Sequence, residues 1–292
     1  MNGVINVLKP PGMTSSNVVS ALRRILNMKR VGHTGTLDPG AAGVLPVCVG
    51  KATRLFDYIV DKDKEYIAEL CLGKTTDTLD SYGQKTGDYP VPFVDEQRFS
   101  QIAAKYLGEI VQTVPAYSAA KVEGRKLYQM ARKGQSIDAP QKNVVIRDIQ
   151  LLRKLDEQRF LFRVVCSKGT YVRTLCADIA QALGSGGYMA FLLRNRSGMF
   201  EIDSALTLEE IETLQGAGSL PVLPPDAVLG NFGRLDVLPC YKKMLANGNA
   251  LQLDYAVGDW ESGPLFRVYC EDVFYGIARQ DHGRLAMKTL FI

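Results

Sequence analysis

KRVGHTGTLDPGAAGVLPVCVGKATR, residues Lys29 to Arg54, is the stretch from which the rest of the chain is read. Four glycines (Gly32, Gly35, Gly40, Gly43) surround one carboxylate, Asp38, which is set immediately before Pro39. Glycine permits backbone shapes closed to other residues, and a proline restricts the residue before it to extended conformations, so such a loop can present Asp38 rigidly. In an isolated Asp-Pro the ordinary role of the carboxylate is to cap a turn, and only a wider context argues for chemistry. The apolar run at 44–49 predicts a buried strand after the loop. Residues 49–53, VGKAT, approach a phosphate-binding loop. That loop needs Gly where Leu45 stands and Ser or Thr where Ala52 stands, so ATP is not implied.

Upstream, residues 4–8 read as a strand that stops at Pro10-Pro11-Gly12. Thr14, Ser15, Ser16 and Asn17 then offer caps for a helix whose apolar face is Val18, Val19, Leu22, Ile25 and Leu26. Downstream, Tyr66, Ala68, Leu70 and Leu72 alternate with Glu65, Ile67, Glu69 and Cys71, the period of a half-buried strand, followed by a polar loop at 75–83. Helical spacing recurs over 95–107 and from about 171 to 183, where Gly184 ends it; strands are expected at 144–152 and 159–166. Strands outnumber helices and neither alternate regularly with them nor repeat. The fold class expected is therefore α+β, with a large mixed, mainly antiparallel sheet rather than a doubly wound one. Thr207 and Glu210 form a capping-box pattern, and the Gly- and Pro-rich stretch 216–231 marks a boundary. Residues 1–230 make the main domain. Residues 231–292 make a small, mostly β module, with a helix-like piece at 238–246 and strands at 266–270 and 273–278.

With 292 residues, 46% of them hydrophobic, the chain can bury a large core. Thirty-five Lys and Arg against 31 Asp and Glu leave a net charge of +4, compatible with a nucleic-acid partner without demanding one. Six cysteines without a CxxC pair, and no secretory or membrane-spanning run, point to a reducing cytoplasm. Two histidines and no cysteine cluster argue against a metal site, and nothing in the chain calls for a cofactor.

The Lys29 to Arg54 stretch resembles the active-site motif of the TruB family of tRNA pseudouridine synthases. NVLKPPGMTSSNVV (Asn6 to Val19), KEYIAELCLGKTTDTLDSYG (Lys64 to Gly83), PAYSAAKVEGRKLYQMARKG (Pro115 to Gly134) and CSKGTYVRTLCADIAQALG (Cys166 to Gly184) are similar to family segments in the same order. The resemblance implies a pseudouridine synthase fold with a C-terminal RNA-binding module of the PUA type. It also implies isomerisation of the T-loop uridine of tRNA, position 55, by base flipping, without cofactor or metal. It makes Asp38 the nucleophile, Arg173 its basic partner and Tyr66 the ring packed on the uracil. Leu192 becomes the apolar residue beneath the base, and His33 part of the group that displaces the target nucleotide.

This chemistry suits the residues. Uridine and pseudouridine contain the same atoms, so a carboxylate that attacks either C1′ of the ribose or C6 of the pyrimidine needs no redox partner. A guanidinium beside it would keep it ionised and oriented. Lys9, Lys121 and Arg132 are expected to bind substrate, with Arg30, Lys51, Arg125, Lys126 and Arg194 as further candidates to grip phosphates. Asp77 and Asp80 are read as turn-stabilising residues. The chain departs from the family pattern at Tyr188, often His, at Leu193-Arg194-Asn195, often Arg-Arg-Thr, and at Val114, often Pro. The partner expected is the T-arm stem-loop of tRNA, held by a monomer. Two other readings compete: an RNA-folding factor that grips the tRNA elbow, and an aspartate-dependent hydrolase of nucleosides or glycosides, which would change the mass of its substrate.

Overall fold

The computed structural model of the chain describes residues 1–60, 62–122, 124–135 and 138–291. A nine-stranded sheet runs in the order Gly3–Lys9, Ala42–Val49, Gly187–Ser197, Lys64–Leu72, Arg159–Cys166, Gln141–Lys154, Gly108–Thr113. Val31–His33 and Phe200–Glu201 pair at its side. Every neighbouring pair is antiparallel except one. Ala42–Val49 and Gly187–Ser197 run parallel, with Ala42 opposite Leu193 and Gly43 opposite Arg194. The α+β reading, with a mixed and mainly antiparallel sheet, holds.

Alternation along Lys64–Leu72 gives the sheet its two faces. Tyr66, Ala68 and Leu70 turn inward with Phe160, Phe162 and Val164, beneath Leu175, Ile179 and Ala180 of the helix Val172–Ala182 and Phe99 of the helix Glu96–Ala104. Phe99 stacks on Phe160 with ring centroids 5.0 Å apart. Each of the Phe, Leu, Ile and Val side chains among them contributes roughly 1.5–3 kcal/mol by leaving water. The outer face is polar: Arg163 pairs with Glu65 at 3.0 Å, and Asn195 donates to the same carboxylate at 2.8 Å.

Helix starts follow the expected chemistry. Thr14 accepts from the Asn17 amide, Asp95 from the Arg98 amide, and Thr207 and Glu210 close a complete capping box.

The strand Gly187–Ser197 was not legible in the sequence. Two bulges, between Met189 and Phe191 and between Arg194 and Arg196, break its period of two. Met189, Leu192, Arg194 and Ser197 all face inward despite uneven spacing. Gly108–Thr113, an edge strand with most of its residues exposed, likewise carries no alternating signal. The segment after the glycine loop folds as a 3-10 turn, Gly50–Leu55, leading into a short helix, Phe56–Val60. The helix-like piece at 238–246 divides into a 3-10 turn and the helix Lys242–Ala246.

A second sheet of six strands is built from Gly233–Val237, Leu251–Gln252, Ala256–Gly258, Leu265–Cys270, Val273–Asp281 and Arg284–Leu290, around its own apolar cluster. It is docked on the first through a shared layer in which Leu55 and Ile59 meet Val228, Leu229, Ile277 and Phe291. Arg54 Nη1 donates to the Leu290 carbonyl at 2.6 Å, and the hydroxyls of Tyr58 and Thr289 lie 3.1 Å apart. All six cysteines are free thiols, five of them buried. No helix among the described residues is long and apolar enough to cross a membrane.

Candidate active site

Between the glycine loop and the start of the helix Val172–Ala182 lies a cavity of about 330 Å³. Asp38 stands on one side of it, Arg173 on another. Tyr66, Leu192 and Arg194 line it together with Ser118 and Ala119 and, from the segment after the glycine loop, Phe56 and Val60.

The loop that carries Asp38 is held from beneath. Ser15, in the first turn of the helix Ser15–Ile25, accepts from the Leu37 amide at 2.9 Å, and the Pro39 carbonyl accepts from the Gly12 amide at 2.8 Å. Lys9 ends the strand Gly3–Lys9 directly below, and its Nζ donates to the carbonyls of Pro10 at 2.9 Å, Pro39 at 3.2 Å and Ala41 at 2.6 Å. With 0% of its surface exposed, Lys9 cannot grip a phosphate. The expectation that it binds substrate is corrected here: its three donors are spent on main-chain carbonyls that the loop must turn inward. Burial pushes its pKa down to about 8, against the pull of Asp38.

Arg194 calls for the same correction. It is 1% exposed, and its guanidinium donates to the Val44 carbonyl at 2.7 Å and the Gly35 carbonyl at 3.2 Å, tying the front of the loop to the strand behind it. Arg194 pairs directly with Tyr66 across the sheet. Burial raises the pKa of the Tyr66 hydroxyl, while the charge of Arg194 and a hydrogen bond to it act in the opposite direction.

Arg173 is buried in the first turn of its helix and reaches three segments at once. Nη1 donates to the Thr78 carbonyl at 3.2 Å, Nη2 to the Tyr117 carbonyl at 2.9 Å, and Nε lies 3.4 Å from Asp38 Oδ2. The helix places Arg173 by its own packing, so the guanidinium is a fixed point against which the loop is set. Asp38 keeps 34% of its side chain exposed toward the cavity. Burial raises its pKa, Arg173 and Lys9 oppose that rise, and Asp80 adds to it.

The structure therefore brings Asp38, Tyr66, Arg173 and Leu192 around one cavity. His33 sits apart from the lining, on the short strand Val31–His33, with Nδ1 accepting from the Gly35 amide at 3.4 Å. Burial and the nearby Arg194 lower its pKa and favour the neutral imidazole. Lys121 is exposed on the small hairpin Lys121–Val122/Arg125–Lys126, and Arg132 lies with its guanidinium 5.6 Å over the ring of Tyr128. Both belong to the segment that begins at Ser118. Asp77 and Asp80 do stabilise turns, accepting from the Gln84 amide at 2.8 Å and the Tyr82 amide at 3.0 Å. Asp80 has a second role that the sequence did not disclose: its other oxygen faces Arg173 Nη1 at 3.9 Å. Phe56 and Ser118 were also missed as lining residues, since neither carries a periodic or charge signal. Among the described residues, no group of three His, Cys, Asp or Glu side chains could hold a metal ion.

Fold and site together define an enzyme, one that holds a carboxylate–guanidinium pair in a cavity lined by a tyrosine at the end of a mixed sheet. A sequence model of the TruB family pseudouridylate synthase N-terminal domain matches residues 23–172, and one of the tRNA pseudouridylate synthase B C-terminal domain matches residues 173–220. The chain belongs to the TruB family of pseudouridylate synthases. It is 42% identical to a tRNA pseudouridine synthase B of Alkaliphilus oremlandii (strain OhILAs), over 99% of this chain and 98% of that one. Similarity to the enzyme of the same description in Clostridioides difficile (strain 630) is 42% over 96% of this chain and 94% of that one. Among solved structures, a Cbf5–Nop10–Gar1 complex contains a chain that superposes with a TM-score of 0.75 at 26% identity, covering 99% of this chain and 85% of that one.

Proposed function

We propose that this enzyme converts the T-loop uridine of tRNA to pseudouridine, taking the flipped base into the cavity and using Asp38 as the nucleophile. The relatives' shared description as tRNA pseudouridine synthases supports the reaction and the RNA class. The observation that carries the residue assignment is the Asp38–Arg173 pair, 3.4 Å apart in a cavity lined by Tyr66 and Leu192.

Isomerisation breaks the bond between N1 of uracil and C1′ and forms one between C5 and C1′. The C5 proton is lost and N1 ends protonated, so the atoms balance with no second substrate. Attack by the Asp38 carboxylate at C1′ or at C6 serves that scheme equally, and both need the ionised form. Arg173 supplies the charge that keeps it ionised despite burial. Tyr66 offers a flat face for the uracil while the base turns, and Leu192 bounds the apolar side of the slot. The target base is buried in any RNA stem or structured loop, so the nucleotide must leave its stack before Asp38 can reach it.

His33, Lys121 and Arg132 remain the proposed RNA contacts, outside the cavity. The second sheet, residues 233–290, is proposed as a PUA-like RNA-binding module of a monomer acting in the cytoplasm, with the domain boundary near residue 230.

The test is pseudouridine formation on an unmodified tRNA transcript, wild type beside Asp38→Asn, with binding of both measured by gel shift. Conversion of one T-loop uridine by the wild type, and binding without conversion by the variant, is the expected result. Equal remodelling of the RNA by both proteins without pseudouridine would replace this reading with an RNA-folding factor.

A further inference from the structure

Beside the cavity the chain carries a second surface, formed by residues most of which have no role in the reaction. A shallow depression is lined by Asp38, Gly40, Ala41, Tyr82, Phe191 and Leu192. Asp38 and Leu192 also line the cavity, so the two adjoin across these residues. Tyr82 is 66% exposed and Phe191 43% exposed, a large apolar surface for two side chains that flank one site. Exposed aromatic rings gain free energy when an apolar surface covers them, and stacking on another flat ring adds to that gain.

The ring of Tyr82 is not loose. It lies against Gly40, so closely that a Cβ built on Gly40 would come within 2.0 Å of the ring's Cε2. The Tyr82 amide donates to Asp80 Oδ1 at 3.0 Å, and the Thr78 hydroxyl donates to the same oxygen at 2.6 Å. The Ser81 amide is tied to the Met189 carbonyl at 3.1 Å. Asp80 Oδ2 faces Arg173, and Arg173 faces Asp38. Tyr82 and Asp38 are thus set against one another twice, through Gly40 on the loop and through the Asp80–Arg173 link. Phe191 is turned outward by the bulge between Met189 and Phe191, the same irregularity that lets Leu192 face the cavity.

We infer that Tyr82, with Phe191 beside it, is a stacking platform for a nucleobase adjacent to the target uridine, held unstacked outside the cavity while the uridine is inside. The inference rests on the reading that the substrate is an RNA loop nucleotide. A base leaving its stack strands its neighbours, and an aromatic face at the mouth of the slot recovers part of the lost stacking. Tyr82 contributes to binding and not to bond-making, since it lines the depression and not the cavity.

The experiment uses the full chain and a T-arm hairpin RNA, with a set of hairpins in which each nucleotide flanking the target is replaced in turn by an abasic one. Tyr82→Ala is expected to raise Kd and KM about 5- to 100-fold, the range by which loss of one aromatic platform weakens a stacked base. The single-turnover rate at saturating RNA should stay within about twofold, and Tyr82→Phe should bind about as well as the wild type. One abasic hairpin should weaken the wild type by the same factor and weaken Tyr82→Ala no further. Unchanged binding by Tyr82→Ala overturns the platform, as does a loss that adds to that of every abasic hairpin. A wild type that makes no pseudouridine yet shows this non-additive pattern would remove the proposed reaction and leave the platform standing.

Discussion

Replacing Arg173 by Met removes the cation beside Asp38 while keeping an apolar chain of similar length in the helix. Two unit charges 3.4 Å apart interact by roughly 2.5 to 5 kcal/mol for an effective dielectric of about 40 to 20. Solvent on the exposed third of the Asp38 side chain screens the pair, which places it near the lower end, about 2.5 kcal/mol or roughly two pH units. The sign follows from the charges. Arg173 favours the carboxylate, burial and Asp80 oppose it, and deleting the guanidinium leaves only Lys9 on its side. The Asp38 pKa, already raised, should therefore rise further. In single-turnover pseudouridine formation on a tRNA transcript, the acid limb of the pH–rate profile should move up by roughly two units. The deficit should be about 100-fold below both limbs and shrink as pH rises through them. Arg173→Lys should restore most of the limb position but not the full rate, because an ammonium cannot also bridge the Thr78 and Tyr117 carbonyls. A Met profile that superposes on the wild type after vertical scaling would refute the electrostatic role.

Lys9→Met should lower stability by about 1–3 kcal/mol, since the buried Ala41 carbonyl loses this donor and the Pro39 carbonyl is left with the Gly12 amide alone. Burial holds its folded pKa at about 8, below the ordinary lysine value of 10.5. Charging Lys9 therefore opposes folding below pH 8, and that penalty is relieved as pH rises toward 10.5. Urea denaturation should show the gap between wild type and variant widening between pH 8 and pH 10.5, and a gap that narrows would contradict the assignment. Gly43→Ala should cost at least about 3 kcal/mol in the same assay, because φ is +114° and the new Cβ would meet the Arg194 backbone at the one parallel contact of the sheet. Phe291→Ala should destabilise by about 3–5 kcal/mol. It should also slow single turnover, because Leu55 and Ile59, which it packs with, share a segment with the cavity-lining Phe56 and Val60. Loss of stability without any change in turnover would show that the second sheet does not brace that segment.

Local rules, written in a few residues at a time, accounted for much of this molecule. The alternation around Tyr66, the caps at Thr14 and Thr207, and the stop at Gly184 each rest on interactions within a turn or a strand, so composition and spacing display them. Asp38 was visible because glycines and a proline constrain its loop locally, and the family resemblance gave that loop its chemistry. What tertiary structure decided is which charges face solvent and which face main chain. Lys9 and Arg194 look like phosphate ligands in the sequence. Folding instead buries them under the Asp38 loop, because a tight loop of inward carbonyls needs donors that no strand or helix supplies. Asp80 read as a turn residue and is one, yet its second oxygen meets Arg173 only because the loop 76–82 is laid against the strand that carries Leu192. That strand itself stayed hidden, since two bulges shift its side chains by one residue each, and bulges are resolved by the partner strand. The sequence by itself determined the locally patterned elements, the glycine loop and Asp38 within it. Their convergence on one cavity, and the exposure of Tyr82 at its edge, came from packing between segments far apart in the chain, where no local pattern records the contact.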